Sequence, residues 1–343
     1  MKIYADNAAT TAMSEGAIKA MLPYLNNIYG NPSSIHTAGQ EAKQALEKSR
    51  EDIASALDCV PKEVFFTSGG SEADNQAIIS AAKIGARKGK KHIISTAFEH
   101  HGVLHTLKKL EGEGFEVTLL DVNENGVINP GQVAEAIRED TALVTVMYVN
   151  NEIGTVQPIR EIGAICREKG VLFHTDAVAA VGHIDVSFKN DNVDLLSLSA
   201  HKFNGPKGVG ALLVRQGVAL TNIIEGGAQE RGKRGGTENV GGIVATAYAL
   251  NEALKGLEDK QKVIIERRDR LIAGLKEIPH GVLNGDEKHR NPGIVNFCFE
   301  GIEGEAMLLL LDDKGIYASS GSACTSGSLE PSHVLLAIGR VHD

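Results

Sequence analysis

Short β-rich runs alternate with helical patterns through the first two thirds of this chain, and that alternation narrows the fold more than any other feature. The β-rich runs occupy residues 63–66, 92–95, 116–120, 142–149, 171–174 and 210–214. Helical patterns fill most of the gaps, for example over 131–137 and 162–169. Ahead of them, residues 36–57 read as an amphipathic helix, with Ala42, Ala45, Leu46, Ile53 and Leu57 at helical spacing. Strands that alternate with helices need crossover connections, which give a mostly parallel sheet covered by helices on both faces. Further on, one long helix is expected over 242–275, then a strand-like run at 293–299, a helix near 304–311 and a Ser/Gly-rich stretch. The expected organisation is α/β, with a large domain over 16–245. Residues 1–15 and 246–343 form a smaller α+β domain.

Bulk properties exclude several function classes. At 343 residues the chain is long enough for both domains, and 42% hydrophobic with 23% charged residues is ordinary for a globular enzyme. The longest apolar runs, such as 306–311, are far too short to span a bilayer, so no membrane role is expected. The first residues, MKIYADNAATT, lack the apolar core of a signal peptide. Four cysteines, Cys59, Cys166, Cys298 and Cys324, are scattered without a CxxC pair, which points to reduced thiols and a cytoplasmic location. A net charge of -9 and the absence of Trp argue against direct nucleic-acid binding.

Three local features point to one kind of site. Val64-Phe65-Phe66 reads as a buried strand running into Thr67-Ser68-Gly69-Gly70-Ser71-Glu72, with a helix starting at about Ala73. Such a turn offers free backbone N–H groups and the positive end of a helix to an anion, and two glycines allow close approach. Ser71 fits an anion-binding hydroxyl and a plain helix N-cap equally well. No GK[ST] follows, so the turn is not a P-loop. The run Val171-Leu172-Phe173-His174-Thr175 ends on Asp176, at the strand end where parallel sheets bind ligands. A turn-capping aspartate is the alternative. Finally, Leu195-Leu196-Ser197-Leu198 leads through Ser199-Ala200-His201 to Lys202 and a Gly/Pro-rich turn. That is a poor place for a merely solvated lysine, but a suitable one for a Schiff base.

With these residues in view, the chain resembles cysteine desulfurases of the NifS/IscS-like type that feed iron–sulfur cluster assembly. The likeness runs from YADNAATT through NPSSIH, TSGGSEADN, EHH, VNNEIGTVQPI, HTDAVAAVGH, SAHKFNGPKGVGAL and ERGKRGGTEN to SSGSACTSGSLEPS. It implies the aminotransferase-like fold of pyridoxal 5′-phosphate enzymes and a homodimer. Carried over by motif, it implies that Lys202 is the Schiff-base lysine, that Asp176 pairs with the pyridinium nitrogen and that His100 stacks on the ring. It further implies that Asn151 contacts the phenolic oxygen. Gly70, Ser71, Ser199 and His201 are implied phosphate ligands, and Thr237 an implied contact to the phosphate of the neighbouring subunit. Cys324 is the implied nucleophile. It would take sulfur from L-cysteine, carry it as a persulfide to a scaffold or sulfur-acceptor protein, and touch iron transiently as a metal ligand.

Two departures from the family pattern set further expectations. The family motif DAVQAVG reads Asp176-Ala177-Val178-Ala179-Ala180-Val181-Gly182 here, so Ala179 cannot donate the hydrogen bond that the glutamine gives to the phenolic oxygen. The family also continues past Asp343 with an arginine that grips the substrate carboxylate, so the small domain is expected to be C-terminally incomplete. Selenocysteine lyase is the rival in chemistry. A cofactor-binding scaffold with little turnover is the rival outside enzymology. The bland residues are Cys59, Cys166 and Cys298, which sit in apolar patterns as core positions. His101 and His105 stand four apart on a helix-like stretch, a metal-binding spacing with no third ligand in view.

Overall fold

The structure, a computed structural model, describes residues 2–321 and 332–340. Its strands are β1 (Ile3–Tyr4), β2 (Val64–Thr67), β3 (His92–Thr96), β4 (Glu116–Leu120), β5 (Thr141–Thr145), β6 (Leu172–Asp176), β7 (Leu195–Ser199), β8 (Gly210–Val214), β9 (Gly281–Leu283), β10 (Phe297–Phe299) and β11 (Ile316–Tyr317). Seven of them form one sheet in the order β2-β8-β7-β6-β5-β3-β4. The pairs from β4 to β7 are parallel, while β8 runs antiparallel to both β7 and β2. The sheet is therefore mostly parallel, as the alternation predicts.

Burial explains why the central strands read as continuous apolar runs. All five residues of β3, β5, β7 and β8 are buried, because helices cover both faces. The helix Gly70–Ala86 packs its buried Ala73, Ala77, Ile78, Ala81 and Ala82 against one face. On the other face lie the helices Thr37–Ala56 and Val240–Leu254, which pack on each other. Small residues in both let the backbones come close.

In the remaining part, β1 pairs in parallel with β11, and β9 with β10 form an antiparallel pair. The single helix expected over 242–275 is two helices, Val240–Leu254 and Leu257–Lys276. Gly256 divides them with a left-handed φ of 65°, a conformation that glycine adopts without a Cβ clash. The strand expected over 142–149 stops at Thr145. Beyond it Val146 and Tyr148 still donate to His174 and Asp176 carbonyls, but the chain then turns through residues 150–153. That departure delivers Met147, Asn151 and Glu152 to the carboxyl edge of the sheet.

Candidate functional site

A cavity of about 560 Å³ opens outside the carboxyl ends of the parallel strands. Each strand end supplies part of its wall: Glu99 and His100 after β3, Asn151 and Glu152 after β5, Asp176 ending β6, and Ser199, His201 and Lys202 at and after β7. Gly70 and Ser71, at the start of the helix Gly70–Ala86, complete the floor. Sheets of this kind bind ligands at this edge.

The helix start is built for an anion. Its N-cap is Gly69, which brings no side chain to the first-turn N–H groups. Ser71 is the second helical residue and not the cap, so the plain N-cap reading of Ser71 does not hold. A Cβ added to Gly70 would meet Val178 Cγ2 at 2.6 Å, so the backbone there is packed too closely for a larger residue. Glu72 fixes the turn by accepting from Ser68 N at 2.9 Å and from Arg234 Nε at 3.0 Å.

Asp176 is buried, and its Oδ1 accepts from Val178 N at 2.9 Å. Oxygen and nitrogen atoms of Asp74, His100 and Asp176 lie within 4.8 Å of one another. Burial first, and then the neighbouring Asp176 charge, pushes the Asp74 carboxyl well above its usual range. Burial also raises Asp176, against the pull of His100, the Val178 N–H and Lys202. Asp74 Oδ1 has no hydrogen-bond partner among the described residues. It lies 3.6 Å from His174 Nε2, but burial pulls His174 down to about 3, so that contact is not an ion pair near neutrality. His100 caps the helix His101–Gly112, and its Nδ1 accepts from Gly102 N at 3.0 Å, which leaves the proton of the neutral ring on Nε2.

Lys202 closes a short 3-10 turn, Ala200–Lys202, that carries the chain out of β7. Its Nζ donates to the carbonyl oxygens of Ala8 and, at 2.9 Å, Ala9, so the N-terminal segment holds the amine at the cavity wall. Beside it, His201 Nδ1 lies 3.1 Å from Thr10 Oγ1, and burial with the Lys202 and Lys207 charges pulls the ring down to about 4. Lys207 is exposed and does not line the cavity.

The cavity brings together eight of the ten residues singled out from the sequence. The other two are Thr237, which is exposed and outside the lining, and Cys324, which lies outside the described residues. Cys59 and Cys166 have thiols that burial pushes up to about 12, which suits core residues and not nucleophiles. Sequence reasoning missed three buried carboxylates in the wall. Asp74 stands within the quoted TSGGSEADN, three residues on from Ser71. Glu99, fully buried, accepts from Thr96 Oγ1 at 2.6 Å and from Met147 N at 3.0 Å, and burial pushes it up to about 8. Glu152 accepts from Ser332 Oγ, and burial pushes it up to about 7.

These residues fit pyridoxal 5′-phosphate. The uncapped helix start suits a phosphate, the buried Asp74–Asp176 pair suits a protonated ring nitrogen, and Lys202 presents an amine to the same cavity. The sequence pattern of the class-V aminotransferases, a family that works with this cofactor, matches residues 3–341. A cysteine desulfurase IscS from Methanosarcina thermophila is 52% identical over 341 residues, covering 99% of this chain and 84% of that protein. A cysteine desulfurase IscS from Clostridium botulinum is 50% identical over 345 residues, covering 100% and 87%. Among solved structures, a NifS-like protein superposes with a TM-score of 0.93 at 38% identity, covering 99% of this chain and 90% of that one. SspA in complex with cysteine superposes with a TM-score of 0.86 at 36% identity, covering 99% and 95%. The chain belongs to the class-V aminotransferase family and, within it, to the cysteine desulfurases.

Proposed function

We propose that the cavity holds pyridoxal 5′-phosphate on Lys202 and removes sulfur from L-cysteine, giving L-alanine and a persulfide on Cys324. The observation that carries this reading is the meeting of Lys202, the Asp74–Asp176 pair and the helix start at Gly70 in one cavity. When bound, the cofactor supplies an electron sink that loosens bonds at the substrate's Cα and Cβ. The chain's residues do the rest. The first-turn N–H groups at Gly70 and Ser71, with Ser199 and His201, bind the phosphate. Asp176 takes the ring nitrogen's proton partner role and, with Asp74, keeps that nitrogen positive. His100 would stack on the ring, and Asn151 would contact the phenolic oxygen. Lys202 Nζ would hold the cofactor and would move protons at the substrate's Cα.

The Cys324 thiolate then attacks the substrate sulfur. The Cβ–S bond breaks, the sulfur stays on Cys324 as a persulfide, and a proton added at Cβ completes L-alanine. A persulfide must be handed on, which calls for a scaffold or acceptor protein and fits iron–sulfur cluster assembly. Iron would meet this sulfur as cargo. Thr237, exposed and away from its own cavity, suits the homodimer reading, in which it reaches the partner's phosphate. A thiol that must return to the reduced form suits the cytoplasm. No helix among the described residues is long and apolar enough to cross a membrane.

The test is release of alanine and sulfide from L-cysteine with a thiol reductant present. The native chain should release both in equal amounts. Cys324→Ser should keep the cofactor's yellow colour and lose the release. Normal turnover by Cys324→Ser would overturn the reading.

A further inference from the structure

Three histidines gather on the cavity's outer rim, and the proposed sulfur chemistry leaves them without a task. His101 and His105 share one face of the helix His101–Gly112, with ring centres 5.1 Å apart. The sequence alone offers this pair no third ligand. The fold supplies one: His333, first residue of the helix His333–Ala337, has its ring centre 4.6 Å from that of His101. Two imidazoles on one tetrahedral zinc, bonded at about 2.0–2.1 Å, have ring centres roughly 5 Å apart, close to the spacing of both pairs.

We infer that His101, His105 and His333 form a binding site for a borderline divalent transition-metal ion such as zinc, with an open fourth position for water. Imidazole is the ligand such ions take readily, and three of them with an open position make a complete site. The hydrogen bonds prepare His333 for this role. Its Nε2 lies 2.8 Å from the Glu99 carbonyl oxygen, which only accepts, so Nε2 carries the proton and Nδ1 keeps its lone pair. A metal-bound histidine typically makes this outer contact, which fixes both tautomer and ring direction. Among the described residues, the rings of His101 and His105 contact other histidine rings and form no hydrogen bond. Burial, together with the neighbouring rings, keeps His101 and His333 below the usual histidine range and therefore neutral near pH 7, the form that binds metal.

The only trio of described residues whose ligand atoms already lie within 4.8 Å of one another is Asp74, His100 and Asp176, which belongs to the cavity. Rotation of the exposed His105 ring toward the other two would close the rim trio. Because His101 and His333 also line the cavity, the bound ion stands at its entrance and ties together two helices from distant parts of the chain.

Equilibrium dialysis against zinc tests the site, using the cofactor-loaded Cys324→Ala chain so that its thiol does not bind the ion. One zinc per chain should bind, in the micromolar range. Adding His105→Ala should weaken binding by roughly tenfold to a hundredfold or more, as expected for loss of an inner ligand. His333→Ala should do the same. Zinc should also raise the thermal midpoint of the Cys324→Ala chain and leave that of the His105→Ala version unchanged, which separates lost ligation from lost folding. No zinc binding, or equal affinity after His105→Ala, would overturn the assignment.

Discussion

Replacing Glu230 by alanine should cost several kcal/mol of stability, although the residue lies outside the cavity. β2 is an edge strand, and an edge leaves backbone groups to satisfy. Glu230 Oε2 accepts the Phe66 N–H at 2.9 Å, and Arg50 Nη1 donates to the Val64 carbonyl at 2.7 Å. The two side chains also pair with each other in a two-pronged fork at 2.9 and 2.8 Å, with only 4% and 2% of their side-chain surfaces exposed. Glu230 and Arg231 adopt left-handed φ angles of 46° and 57° to make this reach, which neighbouring contacts must hold in place. Arg231 adds a donor to Val64 O at 2.6 Å and lies 4.0 Å over the Phe65 ring.

Glu230→Ala therefore strips the buried guanidinium of its two-pronged partner, leaving it only the Val64 carbonyl and Glu47 Oε2 at 3.4 Å, and leaves the Phe66 N–H unpaired, a cost of about 3–5 kcal/mol. Unfolding entropy of about 2.1 cal/mol/K per residue turns that into a midpoint fall of roughly 4–7 °C for a chain of this length. Differential scanning calorimetry measures the fall. Hydrogen exchange at residues 64–67 should speed up before the rest of the sheet. The double change Arg50→Met with Glu230→Leu should regain part of the loss but not all, because the Phe66 N–H still lacks an acceptor. A midpoint within about 1 °C of native after Glu230→Ala would refute the reasoning.

Two further perturbations probe the cavity. The Glu99 carboxyl titrates at about 8 in the folded chain, above its ordinary value of 4.5, so its contribution to stability is full below 4.5, falls as pH rises and is gone above about 8. Glu99→Gln should flatten that decline in pH-dependent melts, and an unchanged slope would assign it to another group. Ala179, whose carbonyl accepts from Asn291 Nδ2 at 2.8 Å, presents no donor to the cavity. Ala179→Gln should lower the pKa of the cofactor's visible band by somewhat less than one unit, given about 1 kcal/mol for one neutral hydrogen bond. An unchanged or higher value would show that a water already donates there.

The parts of the site that end apolar runs are legible in the sequence, and those made by packing are not. Asp176 and Lys202 stand out because each follows a buried apolar run with a residue that costs energy to bury. Gly69 and Gly70 stand out because a glycine pair between a strand and a helix implies close approach. Glu99, Glu152 and Asp74 give no such sign. Their burial is fixed by elements far away in the chain, such as Met147 against Glu99 and Ser332 against Glu152. His333 joins His101 for the same reason. The break at Gly256 is present in the sequence, but helical spacing on both sides hides it. Residues 146–149 read as strand because they remain buried and apolar, while the turn at 150–153 is set by Asn150, whose Oδ1 accepts from Glu152 N and Ile153 N at 2.9 and 3.0 Å.

The central claim is that Lys202 is the residue that carries the cofactor. Borohydride reduction of the cofactor-loaded chain, followed by peptide mapping, tests it most directly. The account predicts a pyridoxyl group on the peptide containing Lys202, with no trapped cofactor on that peptide after Lys202→Ala. A pyridoxyl group on Lys207, whose Nζ reaches only the Thr11 carbonyl at 3.5 Å, would contradict it.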